Sequence, residues 1–354
     1  TILSIIYEYE DVLAVMPGRR AALKIGIPKA LLYYTYYPLW KNFFEMLGYK
    51  TVVSNNTSKL ILDNGVMNCV DDACLPVKLF HGHVIDLLGR ADVIFIPRLI
   101  SINPGEFICP KFIGLPEMIK SSIKELPEVV VADCNAHRNI RNAYMAYINT
   151  GKKLTGSSSL ALKAFRLASS RQQAYNRILK LGGTPLDILE MNRVQDIRND
   201  KGVIGLIGHP YLLYDQYVSM NIVAKLRDMG YRVVVPENIE DVKIEEICNR
   251  LPKKLFWSYG KKLLGSGIAM LENNNVDGIV LLSSFACGID SFILELLHRY
   301  NRRQYGIPYT LITVDEHTGH AGFNTRLEAF IDMIEWRRAH EGNLSSYGAS
   351  VSGR

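Results

Sequence analysis

The sequence predicts an α/β protein made of two similarly wound domains joined by a helical connector, and three observations carry this. Short uninterrupted apolar runs, the mark of strands buried on both faces, alternate with longer stretches of helical spacing. The second half also restarts the first. Ile25-Gly26-Ile27-Pro28-Lys29-Ala30-Leu31-Leu32-Tyr33-Tyr34, a helix and Gly48-Tyr49-Lys50-Thr51-Val52-Val53 are echoed by residues 203–214, a helix and Gly230-Tyr231-Arg232-Val233-Val234-Val235. A shared order of strand, Leu-Leu-Tyr, helix, Gly-Tyr and strand implies two copies of one unit. Finally, 354 residues exceed one typical core and suit two.

Residues 1–22 are expected to form an N-terminal extension, packed as an extra helix or loose, with a break at Pro17-Gly18. The first domain, 23–150, opens with a strand at 24–28, an aromatic-rich helix at 36–47 stopped by Gly48, and a strand at 50–54. Helices at 61–69 and after Cys74 lead to a strand at 91–97, and a loop at 98–108 delivers Cys109. A helix at 115–124 and a strand at 129–132, ending at Asp133-Cys134, follow. In the connector, 151–200, Leu160, Leu162, Phe165, Leu167, Ala168, Tyr175, Ile178 and Leu179 keep helical spacing until Gly182-Gly183-Thr184-Pro185 breaks it. The second domain, 201–340, should hold strands at 203–207, 231–235, 277–284 and 309–314. A helix reaching Met229, a charged helical segment at 239–264 and a last helix at 325–338 should cover its sheet, leaving 341–354 as a disordered tail.

Composition excludes several classes of function. With 48% hydrophobic and 21% charged residues the chain reads as a folded soluble protein. The net charge of +6 comes with no Lys/Arg block long enough for a nucleic-acid footprint, and no 18-residue uncharged apolar run predicts a membrane span. The opening residues carry Glu8, Glu10 and Asp11 and do not read as a signal peptide. Six cysteines in so long a chain do not make a disulfide framework, so a reducing cytoplasm is expected, with metal binding or plain burial to explain them. There is no C-x-x-C pair, and neither G-x-G-x-x-G nor G-x-x-x-x-G-K-[ST] occurs to suggest direct dinucleotide or ATP binding.

The chemistry gathers at three thiols. Cys74 lies two residues before Pro76, which can sit at the first position of a helix, so its thiol is near the positive end of a helix dipole. Cys109-Pro110-Lys111 repeats the recipe, and Cys287-Gly288 follows an apolar strand. Loops at the carboxyl ends of strands are where open α/β sheets collect ligands, and two facing domains would bring these loops into one cleft. Thiolates there suit an iron-sulfur cluster, with Lys78 and Lys111 offsetting its charge. Position alone leaves ligation and burial equally open for Cys74, Cys109 and Cys287. Burial is the preferred reading for Cys69, Cys248 and Cys134. His81 and His83, two apart on a helix, cannot share a face, and His209 reads equally as an ordinary loop histidine. Asp315, Glu316 and His317 suit proton transfer or simple surface placement.

These segments resemble a known family. Residues 25–34, Ala73-Cys74-Leu75-Pro76-Val77-Lys78 with Phe80-His81-Gly82-His83, Ile108-Cys109-Pro110-Lys111-Phe112, Cys287-Gly288 with Asp290-Ser291, and Asp315-Glu316-His317-Thr318-Gly319 are similar to the CoA-substrate-specific enzyme activase-related (DUF2229) proteins. Those are relatives of the 2-hydroxyacyl-CoA dehydratase subunits and of the double-cubane cluster proteins. The resemblance implies two Rossmann-like domains, each a doubly wound, mainly parallel sheet, around a [4Fe-4S] cluster held by Cys74, Cys109 and Cys287. The fourth iron would be open to substrate, water or another ligand. Lys78, Lys111 and Ser291 would lie beside the cluster, and Glu316 or His317 would handle protons. An ATP-hydrolysing activator would supply low-potential electrons, which in the dehydratases form a ketyl radical on an acyl-CoA. Asp72 stands where the family pattern has glutamate, Ile289 where it has proline, and His320 where it has glutamate. A double cubane needs more thiols, and Cys134 is the one further candidate, so a single cubane is preferred. Two other readings stand beside this redox enzyme component: a non-catalytic cluster-carrying subunit docking to a dehydratase or activator, and, more weakly, a zinc-binding protein. A homodimer and a heterodimer are equally open.

Overall fold

The structure, a computed structural model, describes residues 23–190, 201–273 and 276–348, with side chains through 340. The expected extension at 1–22, residues 191–200 of the connector and residues 349–354 of the tail lie outside the described residues.

In the first half β1 (Lys24–Ile27), α1 (Tyr33–Met46) and β2 (Lys50–Val53) form the expected β-α-β unit. There follow α2 (Lys59–Met67), α3 (Leu75–Asp86), β3 (Val93–Ser101), the short α4 (Pro110–Ile113), α5 (Leu115–Ser122) and β4 (Glu128–Asn135). All four strands are parallel, in the order β2-β1-β3-β4. In the second half β5 (Gly202–Ile207), β6 (Tyr231–Val234), β7 (Gly278–Ser284) and β8 (Tyr309–Val314) repeat that order as β6-β5-β7-β8, again all parallel. The duplication reaches the turns: Gly48 and Gly230 hold matching left-handed positions, φ 91° and 90°, which a side chain would resist. Each strand order reverses between β1 and β3, and between β5 and β7, opening a crevice at their carboxyl ends.

Helix α6 (Ile140–Thr155), not among the expected helices, closes the first half and runs across the expected boundary at residue 150, and α7 (Ser158–Lys180) and α8 (Pro185–Leu189) make the connector. Of these, α7 answers a defect in α1. Pro38, inside α1, has no N–H for the Tyr34 carbonyl, and the Tyr175 hydroxyl donates to that oxygen at 2.6 Å instead. Gln172 completes the repair, donating to the Thr35 carbonyl at 2.8 Å and accepting from Leu39 N–H at 3.2 Å.

The second half departs from expectation in its helices. The single helix expected to end at Met229 is two, α9 (Pro210–Leu213) and α10 (Ile222–Asp228). Between them Asp215 turns the chain by accepting the Tyr217 and Val218 N–H groups, and Met220 and Asn221 take left-handed φ of 51° and 59°. The charged segment is likewise α11 (Asp241–Asn249) and α12 (Ser258–Glu272), and α13 (Gly288–Gln304) follows Cys287. The last helix, α14, spans His320–Gly348 rather than 325–338. Its Phe323, Leu327, Phe330, Ile331 and Ile334 recur at helical spacing and are buried. Among the described residues no helix is long and apolar enough to cross a membrane.

Candidate functional site

Cys74, Cys109 and Cys287 line one cavity between the two halves. Each is the residue that enters a helix: Cys74 precedes α3, Cys109 precedes α4 and Cys287 precedes α13. Pro76 is thus the second helical residue of α3, not the first, with Leu75 between it and the thiol. The crevices of both sheets supply the walls. Leu31 follows β1, Cys109 follows β3, His209 follows β5 and Cys287 follows β7, and all four residues line the cavity. Leu31 (φ 51°) and Ala286 (φ 61°), the latter directly before Cys287, are both left-handed, a conformation that persists only where the surroundings enforce it.

Two thiol loops are tied to each other, and one is stitched across the domains. Lys111, two residues after Cys109, lines the cavity and donates to the Asp72 carbonyl, two residues before Cys74, at 3.1 Å. Phe107 pairs in parallel with Trp257: its N–H donates to the Phe256 carbonyl at 2.7 Å, and its carbonyl accepts from Ser258 N–H at 3.0 Å. Glu106, next in line, meets Lys261 of α12 at 2.7 Å. Burial pushes the Cys74 thiol up, with Lys111 opposing, and pushes Cys287 up with help from Asp290.

Sequence reasoning gave no role to two residues here, Tyr211, which lines the cavity, and Asp290, which does not line it but meets His209, which does. Asp290 lies in the first turn of α13, where the helix dipole favours an anion, and its Oδ1 stands 2.7 Å from His209 Nε2, with both side chains almost wholly buried. Tyr211 stacks on the His209 ring at 4.9 Å, and burial raises its hydroxyl well above the usual range, with Asp290 and all three thiols adding to the effect. A carboxylate three residues after a cysteine at a helix start was the available signal for Asp290.

The other expected residues lie elsewhere. Lys78 and Glu316 form an ion pair of 2.5 Å, so Lys78 is spent on Glu316 instead of the thiol cavity, and Glu316 lines a neighbouring hollow with Asp315 and His320. His317 is exposed, and its backbone N–H binds Asp315. Ser291 donates to the Cys287 carbonyl at 3.0 Å and lines a separate surface hollow beside Phe285. His81 and His83 are both fully buried, and neither lines the cavity. Cys134 lies within β4 rather than after it, facing the core, where burial pushes its thiol up to about 12. Cys248 is buried against α12, and half-buried Cys69 lies close enough to Cys74 to feel its charge. Among the described residues no group of three or more His, Cys, Asp or Glu side chains is arranged to hold a metal ion.

The model of the CoA enzyme activase uncharacterised domain (DUF2229) matches residues 24–239, which takes in β1 through β6 with Cys74, Cys109 and His209. The model of the 2-hydroxyglutaryl-CoA dehydratase D-component matches residues 216–334, with Cys287 and Asp290. No curated protein matches the chain. With well over half of its length under the first of these models, the chain belongs to the CoA enzyme activase uncharacterised domain family (DUF2229), and its residues 216–334 are similar to the 2-hydroxyglutaryl-CoA dehydratase D-component.

Proposed function

We propose that this chain is the cluster-carrying component of a 2-hydroxyacyl-CoA dehydratase-type system. In this reading it holds one [4Fe-4S] cluster on Cys74, Cys109 and Cys287 and takes low-potential electrons from an ATP-hydrolysing activator. The observation that carries it is the convergence of three thiols from three helix starts on one cavity between two sheet crevices. The donor chemistry fits the group. A cubane spreads its thiolates over different irons, so its ligands stand further apart than those of a single ion, and the lack of a mononuclear arrangement is no obstacle. When bound, such a cluster supplies one-electron chemistry and an iron able to polarise a carbonyl. The protein's part is to position and to shield. Lys111 fixes two of the loops and adds positive charge, the helix starts direct their dipoles at the thiols, and Tyr211, Phe112 and Trp257 exclude water. The expected substrate is an acyl-CoA. Anaerobic purification followed by iron and sulfide quantitation is the test: about four irons per chain supports the reading, and iron-free protein sinks it.

A second reading, a cluster-carrying subunit that does not itself turn over substrate, is favoured by one observation. Neither Glu316, paired with Lys78, nor exposed His317 lines the thiol cavity, so the expected proton-handling residues are not beside the thiols. Iron-loaded protein supplied with activator, ATP and acyl-CoA separates the two, since turnover by this chain alone rejects the subunit reading.

A further inference from the structure

We propose that His209 is a fourth protein ligand to the group that Cys74, Cys109 and Cys287 hold, bonding through Nδ1, with Asp290 as its positioning residue. The inference rests on the cluster reading above and names the ligand of the iron that three cysteines leave over.

The argument begins with the tautomer. His209 Nε2 stands 2.7 Å from Asp290 Oδ1, out of line for a well-formed hydrogen bond, since that oxygen has no hydrogen-bond partner; the carboxylate beside Nε2 still favours the ring proton there, and Nδ1 keeps its lone pair. That lone pair is buried and has no hydrogen-bond partner. A buried acceptor left unmade is unfavourable, and a protein retains one where something else is meant to meet it. The residue lines the cavity of the three thiols, and its ring is clamped by Tyr211 at 4.9 Å on one side and Tyr259 at 5.9 Å on another. A carboxylate set against one ring nitrogen while the other is free is the arrangement by which proteins orient and strengthen a metal-binding imidazole. His81, His137 and His298 also have an unpartnered buried nitrogen, but none of the three lines the cavity, and His81 Nδ1 bonds the Val77 carbonyl within α3.

Chemically, three thiolates and one neutral imidazole leave the group less negative than four thiolates would, which makes it easier to reduce, as when histidines replace cysteines on other clusters. An imidazole is also a neutral ligand that an incoming carbonyl oxygen can displace.

The test uses the full chain, loaded with iron and sulfide anaerobically, labelled with 15N-histidine and reduced for pulsed electron-nuclear double resonance. The expected result is one strongly coupled histidine nitrogen in wild type, its loss in His209→Ala at unchanged iron content, and its return when free imidazole is added to the variant. Asp290→Asn should weaken the coupling without removing it. A reduced wild-type cluster with no coupled histidine nitrogen overturns the proposal, and this spectrum decides even where a variant fails to load. Wild-type protein that binds no iron instead overturns the cluster reading beneath it.

Discussion

Lys261 Nζ in the second half stands 2.7 Å from Glu106 Oε1 in the first, and both side chains are almost fully buried. Burial pushes Glu106 up, but its bonds from Lys261 and Asn103 outweigh that and hold its carboxyl below the usual glutamate range. Replacing Lys261 by Met strands a buried carboxylate three residues before Cys109, and we expect a loss of about 3–5 kcal/mol in urea unfolding. The double variant Glu106→Gln/Lys261→Met should recover most of it. A single-variant loss below about 1 kcal/mol would mean the pair does not lock the halves together.

The cysteines divide into two groups by surroundings. Serine at 74, 109 or 287 should each remove most of the bound iron, because each thiol lines the shared cavity. Cys248→Ala should leave iron content unchanged, since that thiol is buried against the Lys261 carbonyl at 3.6 Å and does not line the cavity. Cys134→Ala is the control for a second cluster, and iron loss there would refute the core placement beside Tyr147 as the whole of its role. Iron and sulfide analysis of the five proteins checks the set.

Much of this architecture was legible because the signals were local. The strands of both sheets are short apolar runs, Gly48 and Gly230 stop the helices before β2 and β6, and the repeat from Ile25 to Val53 in residues 203–235 foretold the shared strand order. The three cysteines stood out because helix starts and strand ends can be read within a few residues. What stayed hidden depends on pairing across long separations. Asp290 and His209 are joined only once β5 and β7 lie side by side, and Lys78 meets Glu316 only across the two halves. The split after Leu213 was missed for another reason: Asp215 makes a tight turn inside a stretch whose apolar spacing still reads as helical.

Gly65 of α2 and Gly82 of α3 let two helix backbones touch. A Cβ on Gly82 would run into the Ile61 carbonyl, and one on Gly65 into the Lys78 carbonyl. These are backbone atoms that cannot swing aside, so Gly82→Ala should push α3, with Cys74 at its start, away from α2. Destabilisation of at least about 1–3 kcal/mol is expected, together with reduced iron loading. Thermal unfolding of iron-free protein and iron analysis of loaded protein check the two effects separately, and an unchanged melting temperature would contradict the close contact.

His83 ties the halves through a directional chain of hydrogen bonds. Lys29 N–H donates to Ser54 Oγ at 2.7 Å, Ser54 donates to His83 Nδ1 at 2.8 Å, His83 Nε2–H donates to Thr57 Oγ1 at 2.9 Å, and Thr57 donates to Asp215 of the second half. That order requires a neutral ring, and burial pushes His83 down to about 3, with Asp86 opposing and Lys29 assisting. The folded value lies below the ordinary 6.5, so the unfolded chain takes up the proton first on acidification. The stabilisation is therefore complete above pH 6.5 and drains away as pH falls from there towards 3. Between pH 7 and 5 wild type should lose about 2 kcal/mol relative to His83→Gln, which keeps a hydrogen-bonding side chain without the titration. Asp215, whose carboxyl burial raises, shifts stability in the opposite direction, and because it is joined to His83 through Thr57 the comparison is repeated in an Asp215→Asn background. Urea midpoints of the two proteins across that range measure the effect, and parallel curves would show that the ring does not stay neutral in the fold.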